Sequence, residues 1–179
     1  PAGTQSVSIT LVAASDLLDE HNETVEVSIA SVNDNKATPA GSPVTVTLSD
    51  NDPDTNVTLS VTSTTLNEDG ATGTSVVVTA TLNTVSGKNV AVTLKKGGTA
   101  IDGEDYSLSN AFISISAGTQ SVSVTLTANA DAITEPDETV VLDIDLVTNT
   151  QEIGTERVTV TLLNNDPIPT VTLTIGGVT

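Results

Sequence analysis

The segment AGTQSVSVTL, residues 117–126, alternates apolar and small polar side chains over its last six positions. Successive side chains of a β-strand point to opposite faces of a sheet, so this period places the valines and the leucine on one buried face. The glycine near the start of the segment provides the backbone freedom that a turn needs. The segment therefore predicts a turn followed by a half-buried strand.

The same alternation recurs along the chain, and helical spacing of apolar residues is absent. It predicts strands near residues 57–66, 74–82, 90–95, 111–116, 120–128, 139–147 and 157–163. Seven short antiparallel strands in about a hundred residues are typical of an immunoglobulin-like sandwich. The predicted fold class is all-β, with immunoglobulin-like, seven-stranded antiparallel β-sandwich repeats in tandem.

Two segments recur at a nearly constant spacing. AGTQSVSITL at residues 2–11 returns at residues 117–126, a shift of 117 − 2 = 115, and VTVTL at residues 44–48 returns at residues 158–162, a shift of 158 − 44 = 114. Each copy of VTVTL precedes a short run of Asp and Asn that ends in proline. Such internal similarity is the sequence signature of tandem repeats.

This spacing also predicts the domain boundaries. We expect residues 1–53 to be the C-terminal part of one repeat, residues 54–166 a complete repeat and residues 167–179 the first strand of a following repeat. Neither flank is expected to fold alone. We therefore expect a longer parent array, and strands supplied by neighbouring chains are the alternative.

The charge of the chain restricts its partners. The 179 residues include 23 acids against 5 Lys and Arg, a formal net charge of −18. This charge excludes a phosphate-tracking nucleic-acid surface and disfavours anionic membranes. The chain has no Cys for a thiolate metal site, no apolar run long enough to span a membrane, and only 1% aromatic residues for a ligand pocket. Cations are the expected partners, and neither nucleic acid nor direct membrane insertion is expected.

An acidic loop occurs once in each copy of the repeat. Residues 131–138 (DAITEPDE) and residues 16–23 (DLLDEHNE) both carry acids at the first, fifth and eighth places. Carboxylates crowded in this way repel one another unless a cation sits among them. A hard divalent ion with six to eight oxygen ligands is the natural occupant.

Strand direction predicts that most acids of the complete repeat meet at one end of the sandwich. If successive strands alternate in direction, every second loop lies at the same end. Those segments hold Glu68, Asp69, Asp102, Glu104, Asp105, Asp131, Glu135, Asp137, Glu138 and Asp166. In the loops at the opposite end, only Glu152 and Glu156 are acidic. An evenly acidic surface would not sort like this, so the sequence predicts a cation site at one end.

The complete repeat carries four motifs in order: NEDG at residues 67–70, the run at residues 99–106, DAITEPDET at residues 131–139 and NND at residues 164–166. Together and in this order, these motifs resemble a Calx-beta domain, the module of sodium/calcium exchanger regulatory regions and of many large surface proteins. The resemblance spans the whole central repeat. It implies a calcium-binding β-sandwich.

The resemblance also implies which residues hold calcium. In the complete repeat these are Glu68, Asp105, Asp131, the main-chain carbonyl of Ile133, Glu135, Glu138, Asn165 and Asp166. In the partial first repeat they are Asp16, the main-chain carbonyl of Leu18, Glu20, Glu23, Asp50 and Asp52. The closing NND run has fewer acids than the family pattern, which implies fewer ions or weaker binding.

Other site classes fit less well. An EF-hand is excluded, because Pro136 stands where its loop needs glycine and Leu142 where it needs glutamate. A glycosidase needs two carboxylates across a cleft, whereas these acids cluster on loops, so no enzyme activity is expected. His21 has no second His or Cys nearby in the sequence, and we interpret it as a solvated loop residue.

Together these features predict a calcium-binding structural or adhesive repeat of a large extracellular or cell-surface protein. The Thr-, Val-, Ser- and Asn-rich composition favours a bacterial source. Calcium is expected to stiffen the joints between repeats of a rod or fibre, whose partners are neighbouring repeats of the same chain or filament. The alternatives are a carbohydrate- or protein-binding surface module with a glycan or protein receptor, and an intracellular calcium-sensor regulatory domain.

Overall fold

The structure, a computed structural model, describes residues 6–32, 40–41, 43–68 and 75–177. The chain divides into two compact units, Pro1–Pro53 and Asp54–Thr179, which we call unit 1 and unit 2. All regular elements of the described residues are β-strands, which confirms the predicted all-β class. No helix among them is long and apolar enough to cross a membrane. Asp69 lies outside the described residues.

Unit 1 contains a two-stranded antiparallel sheet. β1 spans Glu23–Val27 and β2 spans Val44–Leu48, and Val25 pairs with Val46 at the centre of the ladder. Residues 138–142 and 158–162 of unit 2 are their counterparts, because similar sequences recur there at the repeat spacing.

Unit 2 is a sandwich of two five-stranded sheets. Its strands are β3 Asn56–Val61, β4 Thr65–Asn67, β5 Ser75–Leu82, β6 Val90–Gly98, β7 Tyr106–Leu108, β8 Phe112–Ile115, β9 Ser121–Ala128, β10 Glu138–Thr148, β11 Gln151–Glu152 and β12 Arg157–Leu163. One sheet has the order β4-β12-β10-β6-β8 and the other the order β11-β3-β5-β9-β7. All pairings are antiparallel except β4 with β12 and β11 with β3.

The core between these sheets is aliphatic, as the alternation predicts. Val76, Val78, Ala80 and Leu82 of β5 are buried at every second position, and the residues between them are more exposed. Tyr106 is the only aromatic side chain in the core, whereas Phe112 is half exposed. Apolar burial stabilises a fold by about 25 cal/mol per Å², and here Val, Leu and Ile side chains contribute almost all of this stabilisation.

The first predicted strand, residues 57–66, is in fact two strands in different sheets. β3 pairs with β5, whereas β4 pairs with β12. The chain changes sheets at residues 62–64, where the Thr62 N–H donates to the Val77 carbonyl at 3.0 Å. The apolar alternation stops at Val61 and resumes out of phase at Leu66. This change of phase is the sequence signal for the division into two strands.

The strand count also differs from the predicted seven. The described residues of unit 2 form ten strands, because the first prediction splits and β7 and β11 were not predicted. These two strands have three and two residues. A period of two cannot be recognised over so short a run.

Apolar side chains near both ends of the described chain are exposed. Residues 6–13, which repeat the sequence of β9, form no strand, and Val7 and Ile9 are exposed. In unit 2, β9 pairs with β5 and β7, and the described residues of unit 1 hold no counterpart of either strand. Residues 168–177 likewise form no strand, with Val171 and Leu173 exposed. The assignment of residues 167–179 to a further repeat stays a prediction.

Gly98 joins β6 to β10 at the end of the sandwich where the acids lie. It pairs with Val140 at a φ of 107°, and a Cβ at this position would overlap the carbonyl oxygen of Thr139. Just beyond it, the Thr99 N–H donates to the same Thr139 carbonyl at 2.9 Å. Only glycine permits both this backbone conformation and this close approach.

We predict that Gly98→Ala lowers the free energy of unfolding by about 1–3 kcal/mol or more, because it adds backbone strain and a steric overlap. Gly97→Ala is the matched control, since a Cβ there meets no atom within 4 Å. Urea denaturation of both variants measures the effect. Equal midpoints for the two variants would contradict the prediction.

Candidate metal centre

Strand pairing brings distant acids to one end of unit 2. Asn67 of β4 lies opposite Leu163 of β12, and Tyr106 of β7 lies opposite Ala128 of β9. The residues next to these strand ends are the predicted acids. They are Glu68 after β4, Asp105 before β7, Asp131 and Glu135 between β9 and β10, Glu138 at the start of β10, and Asp166 after β12, and we call these six residues the acidic cluster.

Three members of the acidic cluster could hold one ion together. Carboxylate oxygens of Asp105, Glu135 and Glu138 lie within 4.8 Å of one another, and all three residues are partly buried. Asp105 is fixed by a turn in which its Oδ2 accepts the Ile101 N–H at 2.6 Å. Three anionic oxygens this close repel one another unless a cation lies between them.

Glu68 is the only fully buried member of the acidic cluster. The residue is only 7% exposed. Burial raises the pKa of the Glu68 carboxyl above its ordinary value, and the charges of Asp131, Glu135, Asp105 and Asp166 raise this pKa further. A buried carboxylate that faces four others and has no neutralising cation is in an unfavourable state in the metal-free protein.

Two buried oxygens of the acidic cluster have no hydrogen-bond partner, namely Oε2 of Glu138 and Oδ2 of Asp166. Burial raises the pKa of the Glu138 carboxyl, and a side-chain hydrogen bond with the Asp105 carboxyl and the Asp105 charge raise it further, although Oε2 itself has no partner within hydrogen-bond distance. Buried polar atoms in native proteins are nearly always satisfied, so orphaned carboxylate oxygens need an explanation. A cation bound by these oxygens would supply one, and the donor set fits a hard metal ion.

The loop between β9 and β10 is shaped by its own polar side chains. Oδ1 of Asp131 accepts the Ile133 N–H at 2.6 Å, which closes a tight turn at the start of the loop. The Thr134 hydroxyl donates to the Pro167 carbonyl at 2.6 Å, and Oδ1 of Asp137 accepts the Asn164 N–H at 3.1 Å. The loop is therefore tied to the segment that follows β12.

Asn165 and Ile133 are placed differently from the other predicted ligands. The Asn165 side chain is exposed, whereas the neighbouring Asp166 is partly buried and acts on Glu68. The Ile133 side chain is also exposed, and its N–H is bonded to Asp131. Coordination through the Ile133 carbonyl and through Asn165 stays a prediction.

Unit 1 brings a corresponding set of acids together. Asp16, Glu20, Glu23, Asp50 and Asp52 line a cleft of about 570 Å³. Oδ2 of Asp50 accepts the Glu20 N–H at 3.1 Å, which joins the acidic loop to the run that follows β2. Partial burial raises the pKa of the Asp52 carboxyl, as do the charges of Asp50 and Asp16.

Leu18 and Glu23 also occupy the predicted loop of unit 1. The Leu18 N–H donates to Oδ1 of Asp16 at 2.9 Å, the same turn that Asp131 and Ile133 form in unit 2. Glu23 is exposed and begins β1 opposite Leu48. Its counterpart Glu138 is partly buried against β12.

Sequence reasoning overlooked Asp19 in this loop. Asp19 is 1% exposed, and its charge contributes to the raised pKa of the Asp52 carboxyl. Its counterpart in unit 2 is Thr134, since 134 − 19 = 115. The acid therefore does not recur, and the comparison of the two copies gave no signal for it.

Among the described residues, two acids outside the acidic cluster form ion pairs with basic side chains. Asp102, predicted at the acidic end, pairs with Lys96. Oδ2 of Asp143 pairs with Nη2 of Arg157 at 2.7 Å. β10 and β12 place these two residues directly opposite each other. The pairing depends on the sheet order and is not visible in the sequence.

No protein-family model and no curated protein matches the chain. Its fold is similar to that of solved Calx structures. One is the crystal structure of CBD12 from CALX1.2, with a TM-score of 0.51 and 16% identity over 62% of this chain and 44% of that one. Another is the apo form of the Calx CBD1 domain, with a TM-score of 0.50 and 16% identity over 64% of this chain and 100% of that one. The fold thus confirms the predicted resemblance to Calx-beta domains, and the chain spans less than half of the first structure.

We predict that Glu68→Gln stabilises the metal-free protein, because it removes a buried negative charge that faces four others. The gain should be at least about 1 kcal/mol, the repulsion of one pair of unit charges 4 Å apart in water. Urea denaturation in a chelator measures it.

Asp145→Asn is the matched control, because Asp145 is exposed in an irregular part of β10, between Ile144 and Leu146. It should leave the metal-free stability unchanged within about 0.5 kcal/mol. A Glu68→Gln variant that is less stable than the wild type in chelator would contradict the predicted repulsion.

Proposed function

We propose that the acidic cluster of unit 2 binds calcium and that the corresponding loops of unit 1 do the same. The observation that carries this proposal is Glu68, a buried carboxylate facing Asp105, Asp131, Glu135 and Asp166. The orphaned oxygen of Glu138 adds to it. A bound divalent ion would neutralise the repulsion and satisfy these oxygens together.

Calcium is favoured over other metals by the chemistry of the donors. The six side chains of the acidic cluster are all carboxylates, and His and Cys, which transition metals prefer, are absent from it. Several of the donors lie on a loop, and calcium tolerates irregular oxygen cages better than magnesium does. The calcium-binding character of the Calx-beta family, whose fold the chain shares, supports the same choice.

We further propose that these repeats form an extended array on a cell surface, in which calcium stiffens the joints. Asp52 belongs to unit 1 through its N–H bond to Oδ1 of Asp50. Asp54 belongs to unit 2, where its Oδ2 accepts from the Gln151 side chain at 2.7 Å. Only Pro53, with its fixed φ, lies between them, so an ion held by Asp52 would act next to the joint.

The partners in this proposal are neighbouring repeats, and the array is a non-catalytic extracellular scaffold. The acids face one another rather than opposite walls of a substrate cleft, as a glycosidase would require. A surface glycan or protein receptor is the second candidate partner, and an intracellular calcium sensor is the second candidate role. A bacterial source is favoured by composition alone.

We predict that calcium raises the melting temperature and that Tb³⁺, a hard cation that emits when a nearby aromatic ring is excited, binds at the same site. Tyr106 is the only tyrosine, the chain has no tryptophan, and Asp105 adjoins it in sequence. Tyrosine-sensitised terbium emission should therefore report on unit 2, and calcium should displace it. With a Kd near 10⁻⁴ M, calcium at a hundredfold excess over Kd stabilises the fold by about 2.7 kcal/mol.

Two variants test whether the signal comes from the acidic cluster. Glu138→Gln preserves the shape of the side chain and should weaken terbium emission and calcium competition at least tenfold, about the size of one lost charge-assisted contact. Asp145→Asn should change neither. A melting temperature that is the same in millimolar calcium and in chelator would refute the proposal.

For the array, we predict that two copies of residues 54–167 joined in tandem are more extended and less variable in shape with calcium than with chelator. Calcium should draw the exit segment of the first copy to its cluster, whereas carboxylate repulsion should loosen it without the ion. Small-angle scattering measures the maximum dimension and the spread of conformations. Identical scattering in both conditions would leave calcium binding intact but contradict the mechanical role.

A further inference from the structure

Both units contain the same two successive hydrogen bonds, which end at the backbone of the last acid of the site, Asp166 in unit 2 and Asp52 in unit 1. In unit 2, Oδ1 of Asp137 accepts the Asn164 N–H at 3.1 Å, and Oδ1 of Asn164 accepts the Asp166 N–H at 3.1 Å. Asp137 thus fixes the backbone of Asn164, and Asn164 fixes the backbone of Asp166. The result places Asp166, whose Oδ2 is buried and orphaned, within the acidic cluster.

In unit 1, Oδ1 of Asn22 accepts the Asp50 N–H at 2.9 Å, and Oδ1 of Asp50 accepts the Asp52 N–H at 3.3 Å. The positions correspond by the repeat spacing, since 137 − 22 = 115 and 164 − 50 = 114. The same geometry therefore arises twice from different loops.

The chemical identity of the two acceptors is exchanged between the units. The first acceptor is an amide at Asn22 and a carboxylate at Asp137, whereas the second is a carboxylate at Asp50 and an amide at Asn164. What the two copies share at both places is an acceptor oxygen, not a charge. Only the third position is an acid in both copies, as Asp52 and Asp166.

We infer that Asp137 and Asn164 in unit 2, like Asn22 and Asp50 in unit 1, are positioning residues whose acceptor oxygens place the ligand carboxylates of Asp166 and Asp52. This inference rests on the proposed function and assigns a positioning role to one predicted ligand. Both carboxylate oxygens of Asp50 accept backbone N–H groups, from Asp52 and Glu20, so Asp50 joins the acidic loop of unit 1 to the segment that follows β2. Coordination of calcium by Asp50 stays a prediction.

Two variants of Asp137 distinguish the effect of its charge from that of its hydrogen bond. Asp137→Asn keeps the acceptor oxygen and should leave calcium affinity within about threefold of the wild type, because Asp137 is exposed and its charge is screened. Asp137→Ala removes the acceptor and should weaken affinity about tenfold, the size of one lost hydrogen bond. A carboxylate ligand would behave differently, since loss of its charge in Asp137→Asn should by itself weaken calcium affinity about tenfold.

Asn164 provides an independent pair of variants. Asn164→Asp keeps the acceptor oxygen and should bind calcium at least as tightly as the wild type, whereas Asn164→Ala should again lose about tenfold. Calcium affinity is measured on the full chain by competition against terbium emission sensitised by Tyr106. Urea denaturation in chelator checks that each variant folds, and if Asp137→Ala does not fold, Asp137→Asn decides alone.

The possible outcomes are distinct. Retained affinity in Asp137→Asn and Asn164→Asp, with loss in both alanine variants that fold, supports the positioning role. Three results would overturn the positioning role while leaving calcium binding in place. They are an affinity of Asp137→Asn as low as that of Asp137→Ala, a tenfold loss of affinity in Asp137→Asn alone, and alanine variants that bind calcium like the wild type. A wild-type protein from which calcium displaces no terbium would overturn the proposed function and this inference with it.

Discussion

Mutual repulsion among carboxylates that the fold holds together is the constraint on which the functional end of unit 2 depends. Glu68 is buried because it follows β4, and β4 is fixed by its pairing with β12 and by the buried side chain of Leu66. Glu138 is held near it because β10 pairs with the same β12. Apolar burial stabilises the packed strands, and charge repulsion at their ends offsets part of this stabilisation. A bound cation would reverse the sign of this electrostatic contribution.

The acidic cluster is consequently linked to the whole sandwich rather than to one loop. Its members are contributed by segments that follow or precede β4, β7, β9, β10 and β12, which belong to both sheets. An ion held by Asp105, before β7, and Glu138, in β10, would bridge the two sheets at one end and would favour the folded state by mass action. Gly98 and the backbone bonds to Thr139 serve the same end of the molecule, because they hold β6 tightly against the start of β10.

The two units show which features of the loops are essential to their shape. Turns at Asp16 and Asp131, and the successive acceptors that end at Asp52 and Asp166, recur with matching hydrogen bonds. At two positions the hydrogen bond is the same in both copies, but the side chain is an amide in one copy and a carboxylate in the other. At these positions the hydrogen bond matters more than the charge. Carboxylates present in both copies are the better candidates for ligands.

Local pattern in the sequence determined the longer strands, the all-β class and the two acidic loops, because a period of two and a run of acids are visible within a few residues. It also indicated the end of the sandwich where the acids meet, through alternating strand direction. Only the tertiary structure decided that Glu68 is buried where the charge of Asp131, 131 − 68 = 63 positions away, acts on it, and that residues 57–66 divide between sheets. It likewise decided that Asp143 pairs with Arg157 and that Asp137 bonds to Asn164. These contacts depend on which strands are neighbours and on where each one ends, and side-chain periodicity along a single strand carries no information about either.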